Sequence, residues 1–307
     1  MLEVALDGDR LLIGERLVVS FHRTLRIPDD GTAYPLPPGL GLFAVVALSP
    51  DPSRLGRELA IPMYQREVMW IGLSGAPWKP NAVKVIVGGI NAVSGLRDDG
   101  APPAEPQDYL VCPDQPWLDG VNVGAGIIRQ FVAMPLGRGY GVETRAGGPE
   151  RGGVEILVFE PKPGRFPDQP PVATGGPRRF SRPAPVAEPR EMALGAGGRM
   201  QQKIYPDRHG PQVWDPGNSG RVRISLANGR HWRELTGLAP PPTPIDAAAY
   251  AAAGLPWFAL YDETETSVAP GATVPTIADR DRELGIEATD RRIDQDVIKI
   301  TGIDRGS

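Results

Sequence analysis

The chain has 307 residues, 41% of them hydrophobic, a net charge of −4 and one cysteine, Cys112. This is enough apolar material for real cores, which excludes wholesale disorder, and a lone cysteine excludes an internal disulfide, in keeping with a reducing, cytoplasmic setting. No stretch of about eighteen apolar residues occurs, and Met1-Leu2-Glu3-Val4 begins no basic-then-apolar leader, so neither membrane insertion nor secretion is expected.

The 35 prolines and 38 glycines favour turns and short strands over long helices. Leu17-Val18-Val19-Ser20-Phe21-His22-Arg23-Thr24 alternates with period two, which puts Leu17, Val19 and Phe21 on one face of a half-buried strand. Similar runs follow at 42–48, 66–73, 82–87, 109–112, 127–134, 140–144 and 154–159, divided by Gly, Pro, Asn and Asp clusters. Val154-Glu155-Ile156-Leu157-Val158-Phe159 is more continuously apolar than the others, as a strand covered on both faces would be. The spacing predicts an antiparallel β-sandwich or barrel-like domain over residues 1–160.

Residues 161–190 interrupt this pattern with nine prolines and six basic residues against two acidic ones. Proline fixes φ and removes a hydrogen-bond donor, so the segment reads as an extended linker. Beyond it, 201–205 and 221–227 read as strands joined by a turn-rich loop. Asn228 then caps a helix over 229–235 that Gly237 ends, and Asp246 caps the alanine-rich 247–253. A small α+β unit over 191–262 is therefore expected, followed by an acidic, partly disordered tail over 263–307 with one short terminal strand or helix. The fold class is mainly β, α+β overall.

Three continuous blocks carry a resemblance. They are Asp108-Tyr109-Leu110-Val111 with Pro113-Asp114-Gln115-Pro116-Trp117-Leu118-Asp119-Gly120, then Ile128-Arg129-Gln130-Phe131-Val132-Ala133-Met134-Pro135-Leu136-Gly137, and Ala253-Gly254-Leu255-Pro256-Trp257-Phe258. These resemble a family of uncharacterised bacterial proteins. The second half, through Gln201-Gln202-Lys203-Ile204-Tyr205 and Trp214-Asp215 to Tyr261, is also similar to segments of uncharacterised fungal proteins. The resemblance implies no reaction, ligand or catalytic residue.

Candidate chemistry is sparse. Gly217-Asn218-Ser219-Gly220 resembles the nucleophile turn of chymotrypsin-like proteases, and with His209 and Asp215 it defines an alternative reading as a hydrolase with an interdomain site. The same run is ordinary turn chemistry. Asp207, His209 and Asp215 suggest a metal, yet three scattered histidines match no zinc spacing, and the acidic turns Asp7-Gly8-Asp9 and Asp98-Asp99-Gly100 miss the EF-hand calcium spacing. Val123-Gly124-Ala125-Gly126 precedes a strand and lacks the third glycine of a dinucleotide fingerprint, so no cofactor is expected. Cys112 ends an apolar run and reads as an inert thiol. Clustered cations beside aromatic platforms are missing, which argues against nucleic acid.

The aromatics are the remaining signal. Trp78, Trp117 and Trp214 are the candidate ligand-binding residues, because rings on a β scaffold can stack on sugars or anchor a protein partner with little loss of entropy. The expected function is a non-enzymatic binding or assembly module with a protein or carbohydrate partner. A self-assembling homo-oligomeric structural protein is a further alternative.

Overall fold

The computed structural model describes residues 1–48, 58–145, 151–169, 191–240, 242, 257–260, 267–270, 276–286 and 297–300. Its strands are β1 (Val4–Asp7), β2 (Arg10–Ile13), β3 (Leu17–Thr24), β4 (Ala33–Tyr34), β5 (Gly39–Leu42), β6 (Val46–Ala47), β7 (Glu58–Pro62), β8 (Val68–Ser74), β9 (Asn81–Val87) and β10 (Ile90–Asn91). There follow β11 (Leu110–Cys112), β12 (Trp117–Leu118), β13 (Gly120–Gly124), β14 (Ile127–Pro135), β15 (Val154–Pro161), β16 (Glu191–Gln201), β17 (Trp214–Ala227), β18 (Trp257–Leu260) and β19 (Val297–Ile300). The helices are α1 (Val142–Arg145), α2 (Gly229–Thr236) and α3 (Ile277–Glu283).

The protein is mainly antiparallel β. One ladder runs β1–β2–β3–β8–β14–β16–β17–β15–β9–β11, with β5 beside β3, β12 beside β8, β13 beside β14 and β10 beside β9. Among the described strands, parallel pairing joins β4 with β16, β7 with β17, and the separate pair β18 with β19. The ladder folds back on itself. Leu17, Val19 and Phe21 of β3 share one buried cluster with Val83 and Val85 of β9, Ile156 and Val158 of β15, and Val222 and Ile224 of β17. Period-two alternation therefore builds one core between two layers of the same sheet, each large buried side chain contributing about 1.5–3 kcal/mol.

Four segments seal parts of the outer surface. The stretch carrying Leu25, Ile27 and Tyr34 covers Ile128 and Met200; Tyr109, Val213 and Trp214 cover Ala82, Ile86, Leu157 and Phe159. Helix α2 lays Trp232 and Leu235 on Ala60 and Ala227, and α3 sets Ile277 on Val68 and Val132. A Cβ added at Gly195 would meet Ile277 Cγ1 at 2.7 Å. The glycine-rich β16 is thus a strand because other elements must approach its backbone closely, not because its residues favour extension.

The described strands do not divide at 161–190. β16 and β17, which follow that segment, pair with β14 and β15, which precede it. The expected separate unit over 191–262 therefore contributes strands to the same sheet as 1–160, since β14 and β15 offer free edges that only later residues can satisfy. The strand expected at 201–205 lies earlier, as β16, and β17 starts seven residues ahead of the expected 221 because Pro161 pairs with Trp214 across a register shift. Helix α2 has the expected caps: the Asn228 side chain accepts from His231 N–H, and Gly237 adopts the left-handed conformation. Both α3 and β19 fall within the acidic tail. The expected helix over 247–253 lies outside the described residues.

Candidate functional site

On β3 the outer face carries Val18, Ser20 and His22, and all three are half-buried. Side chains directly opposite one another in neighbouring strands project to the same face. The register therefore builds one row of Arg10, Ser20, Gly72 and Trp117 across β2, β3, β8 and β12, and a second of Leu42, His22 and Trp70 across β5, β3 and β8. His22 and Trp70 stack, ring centroids 3.7 Å apart and planes 5° from parallel. Glycine makes room for this stack. A Cβ on Gly72 would stand 2.6 Å from Ser20 Oγ and 3.0 Å from His22 Nε2, so a side chain there would dislodge the cluster.

Ser20 Oγ lies 2.8 Å from His22 Nε2. Burial first, and then the Arg10 charge, push the His22 imidazole down to about 4, so it is neutral at pH 7. Among the described residues no carboxylate pairs with His22, and Ser20 sits in mid-strand with its backbone committed to the ladder. The pair lacks the third member and the oxyanion donors of a hydrolytic site. What it does present is a flat, uncharged aromatic plate bordered by a hydroxyl and a guanidinium.

Behind Trp117 runs a buried polar network. Gln202 Nε2 donates to Asp119 Oδ2 at 2.7 Å, while Asp119 N–H donates to Gln202 Oε1 at 3.0 Å. Gln115 donates to Trp117 O and Lys203 O and accepts from Tyr205 N–H; Gln107 donates to Tyr109 O and Tyr205 O and accepts from Asp207 N–H. Three glutamine amides thus replace a backbone ladder and fix residues 202–207 across the end of the sheet. Asp119 is 5% exposed, and burial pushes its carboxyl up to about 7 against the hydrogen bonds from Trp117 and Gln202. A charged counterpart lies under the segment 98–108, where fully buried Lys84 Nζ donates to Asp98 at 2.7 Å, Asp108 at 2.8 Å and Ala101 O at 2.9 Å.

The residues predicted from sequence fare differently. Trp117 stands in the outer-face row, and Trp78 is half-buried in the loop between β8 and β9. Trp214 is a correction: it is 1% exposed, donates Nε1–H to Asp207 Oδ2 at 3.1 Å and meets Tyr109 edge-on. It is a plug, out of a ligand's reach. Ser219, His209 and Asp215 form no relay, since Ser219 Oγ donates to Pro216 O, Asp215 Oδ1 accepts from Gly217 N–H, and the His209 ring meets Phe166 and Trp214 edge-on. Asp207 accepts from Tyr109 OH at 2.6 Å, from Trp214 and from His209 N–H, which uses its oxygens without any metal. No group of three metal-binding side chains exists among the described residues. Cys112 is buried, and burial followed by the Asp114 charge push its thiol up to about 12, which suppresses nucleophilicity.

Trp70 and Asp119 were not singled out by sequence. Period two placed His22 on the outer face, but only the β3–β8 register brings Trp70 against it. No helix among the described residues is long and apolar enough to cross a membrane. No protein-family model, no curated protein and no solved structure matches this chain.

Proposed function

We propose that this protein is a non-enzymatic binding module that takes a carbohydrate chain on the outer face formed by β2, β3, β5, β8 and β12. The observation that carries this is the cross-strand tier: the stacked Trp70 and His22, with Trp117 diagonal to Trp70, are half-exposed. Diagonal positions across neighbouring strands are about 7–8 Å apart, so aromatic side chains placed there can reach one another and line one surface. Aromatic planes accept the apolar C–H face of a sugar, and Ser20 and Arg10 in the adjoining row supply polar groups for its hydroxyls. The neutral state of His22 suits an uncharged polyol, because no ion must be desolvated when it binds.

Affinity electrophoresis in gels containing neutral and anionic polysaccharides tests the proposal. The wild-type chain is expected to be retarded by at least one, and Trp70→Ala and Trp117→Ala each to lose about tenfold or more in affinity, the loss that follows removal of one aromatic anchor. Retardation by none, or unchanged retardation of both variants, rejects it.

A further inference from the structure

We infer that Lys84 and Asp108 join in an intramolecular amide bond that the folded chain makes for itself, with Asp98 as the proton relay; this stands apart from the carbohydrate reading. Lys84 lies in the middle of β9, paired with Leu157 of β15, and its side chain is 0% exposed. Lysine is almost never fully buried unless it is paired. Its Nζ meets Asp98 Oδ2 at 2.7 Å and Asp108 Oδ2 at 2.8 Å, on side chains 5% and 18% exposed, and donates to Ala101 O at 2.9 Å. One amine is thus held between two carboxyl groups, away from bulk water. Asn91 fixes both of them: its Nδ2 donates to Asp98 Oδ2 at 2.8 Å and to Asp108 O at 2.7 Å, while Gly100 N–H donates to Asp98 Oδ1 and Ala104 N–H to Asp108 Oδ1.

The donors assign the roles. Burial pushes the Asp98 carboxyl up, but the hydrogen bonds from Lys84, Asn91 and Gly100 outweigh it and hold it below the usual carboxylate range, so Asp98 is the ionised partner that takes a proton from the Lys84 ammonium. The freed electron pair on Nζ attacks Asp108 Cγ, one bond behind the oxygen it already touches, and the N–C bond forms. Charge gathers on Oδ1, where the Ala104 N–H already points. Asp98 passes the protons that nitrogen loses to Asp108 Oδ2, the Cγ–Oδ2 bond breaks, and water leaves on the partly exposed side of Asp108. The ammonium starts with three protons: one stays on the amide, the others leave with the oxygen, Asp98 ends as it began, and nothing is oxidised or reduced. A neutral amide then replaces a buried ammonium and carboxylate, which removes the cost of desolvating both. The bond ties β9 to the segment 98–108 in a chain whose single cysteine rules out an internal disulfide.

The test is the intact mass of the denatured full chain, followed by tandem mass spectrometry of a tryptic digest. The wild type is expected to be lighter than its sequence by one water, about 18 Da. Trypsin is expected to spare Lys84, and Lys79 because Pro80 follows it, and so to release peptides 67–97 and 98–129 joined between Lys84 and Asp108. Lys84→Arg and Asp98→Asn are each expected to keep the full sequence mass, since the first lacks the amine nucleophile and the second keeps nucleophile and electrophile without a base. A wild type of full mass that is cleaved at Lys84 overturns the inference, and this arm needs no variant to fold. A water lost within 98–129 alone, as a succinimide at Asp99-Gly100 would lose it, overturns it as well. So do fragments that place the link on Asp98, or a link that persists undiminished in Asp98→Asn.

Discussion

Two outer faces of this sheet carry aromatic clusters, and they have opposite fates. Over β9, β15 and β17, Tyr109 and Trp214 lie on Ala82, Leu157 and Phe159, and Asp207 takes both the phenol O–H and the indole N–H. Over β3 and β8, Trp70 and His22 stack on each other and both remain half-exposed. The difference is the chain that follows. Residues 202–207 are tied down by glutamine amides and lead Trp214 onto the first face, whereas among the described residues no comparable segment lies over the second. An aromatic ring on a β scaffold becomes a plug when a segment can cover it and a carboxylate can satisfy its N–H; without these it stays available to a ligand.

The largest effects belong to the sealed side. Lys84→Ala leaves buried Asp98 and half-buried Asp108 without their cation and is expected to cost about 3–5 kcal/mol in chemical denaturation. Trp214→Ala is expected to cost about 3–5 kcal/mol, while Trp70→Ala costs roughly 1 kcal/mol and removes ligand binding instead. Equal losses of stability for the two tryptophans would erase the distinction between the faces.

Next comes pH. The Asp119 carboxyl is raised from 3.8 to about 7 in the folded chain. Below pH 4 both states are protonated and nothing is lost; as pH rises from 4 to 7 the unfolded chain ionises first, so stability falls, by at most about 4 kcal/mol, and then levels off. Asp119→Asn is expected to flatten this limb in urea denaturation measured at several pH values. His22 acts with the opposite sign. Its imidazole is lowered from 6.5 to about 4, so the stability it contributes is present above pH 6.5 and is lost as pH falls towards 4, a limb that His22→Gln should remove. Gly72→Ala is a modest perturbation: the new methyl group displaces Ser20 and His22 and is expected to cost about 1–2 kcal/mol. Near-ultraviolet circular dichroism would read the disturbed indole environment directly.

Much of the scaffold was legible because its signals are local. The alternation of β3 gave its buried and outer faces, and Asn228 and Gly237 marked the ends of α2. What stayed hidden depends on partners distant in sequence. β16 has the composition of a loop and becomes a strand only because β14 needs a neighbour and Ile277 needs a backbone without side chains to rest on. The proline-rich 161–190 looked like a boundary between bodies, yet the ladder closes across it. Trp117 was legible as a candidate, but nothing near Trp70 signals His22, forty-eight residues earlier in the chain and paired with it by register alone. Gln115, Gln202 and Asp119 fall inside runs singled out in the sequence and Gln107 directly precedes one, but the shared role of the three glutamines in pinning 202–207 appears only when both ends of each hydrogen bond are known.

The most direct measurement is an indole N–H NMR titration of the wild-type chain with a soluble oligosaccharide drawn from the retarding polysaccharide. The account predicts that the Trp70 and Trp117 signals move together while those of the plugged Trp214 and Trp232 stay still. Movement of Trp214 with Trp70 and Trp117 unaffected would contradict it.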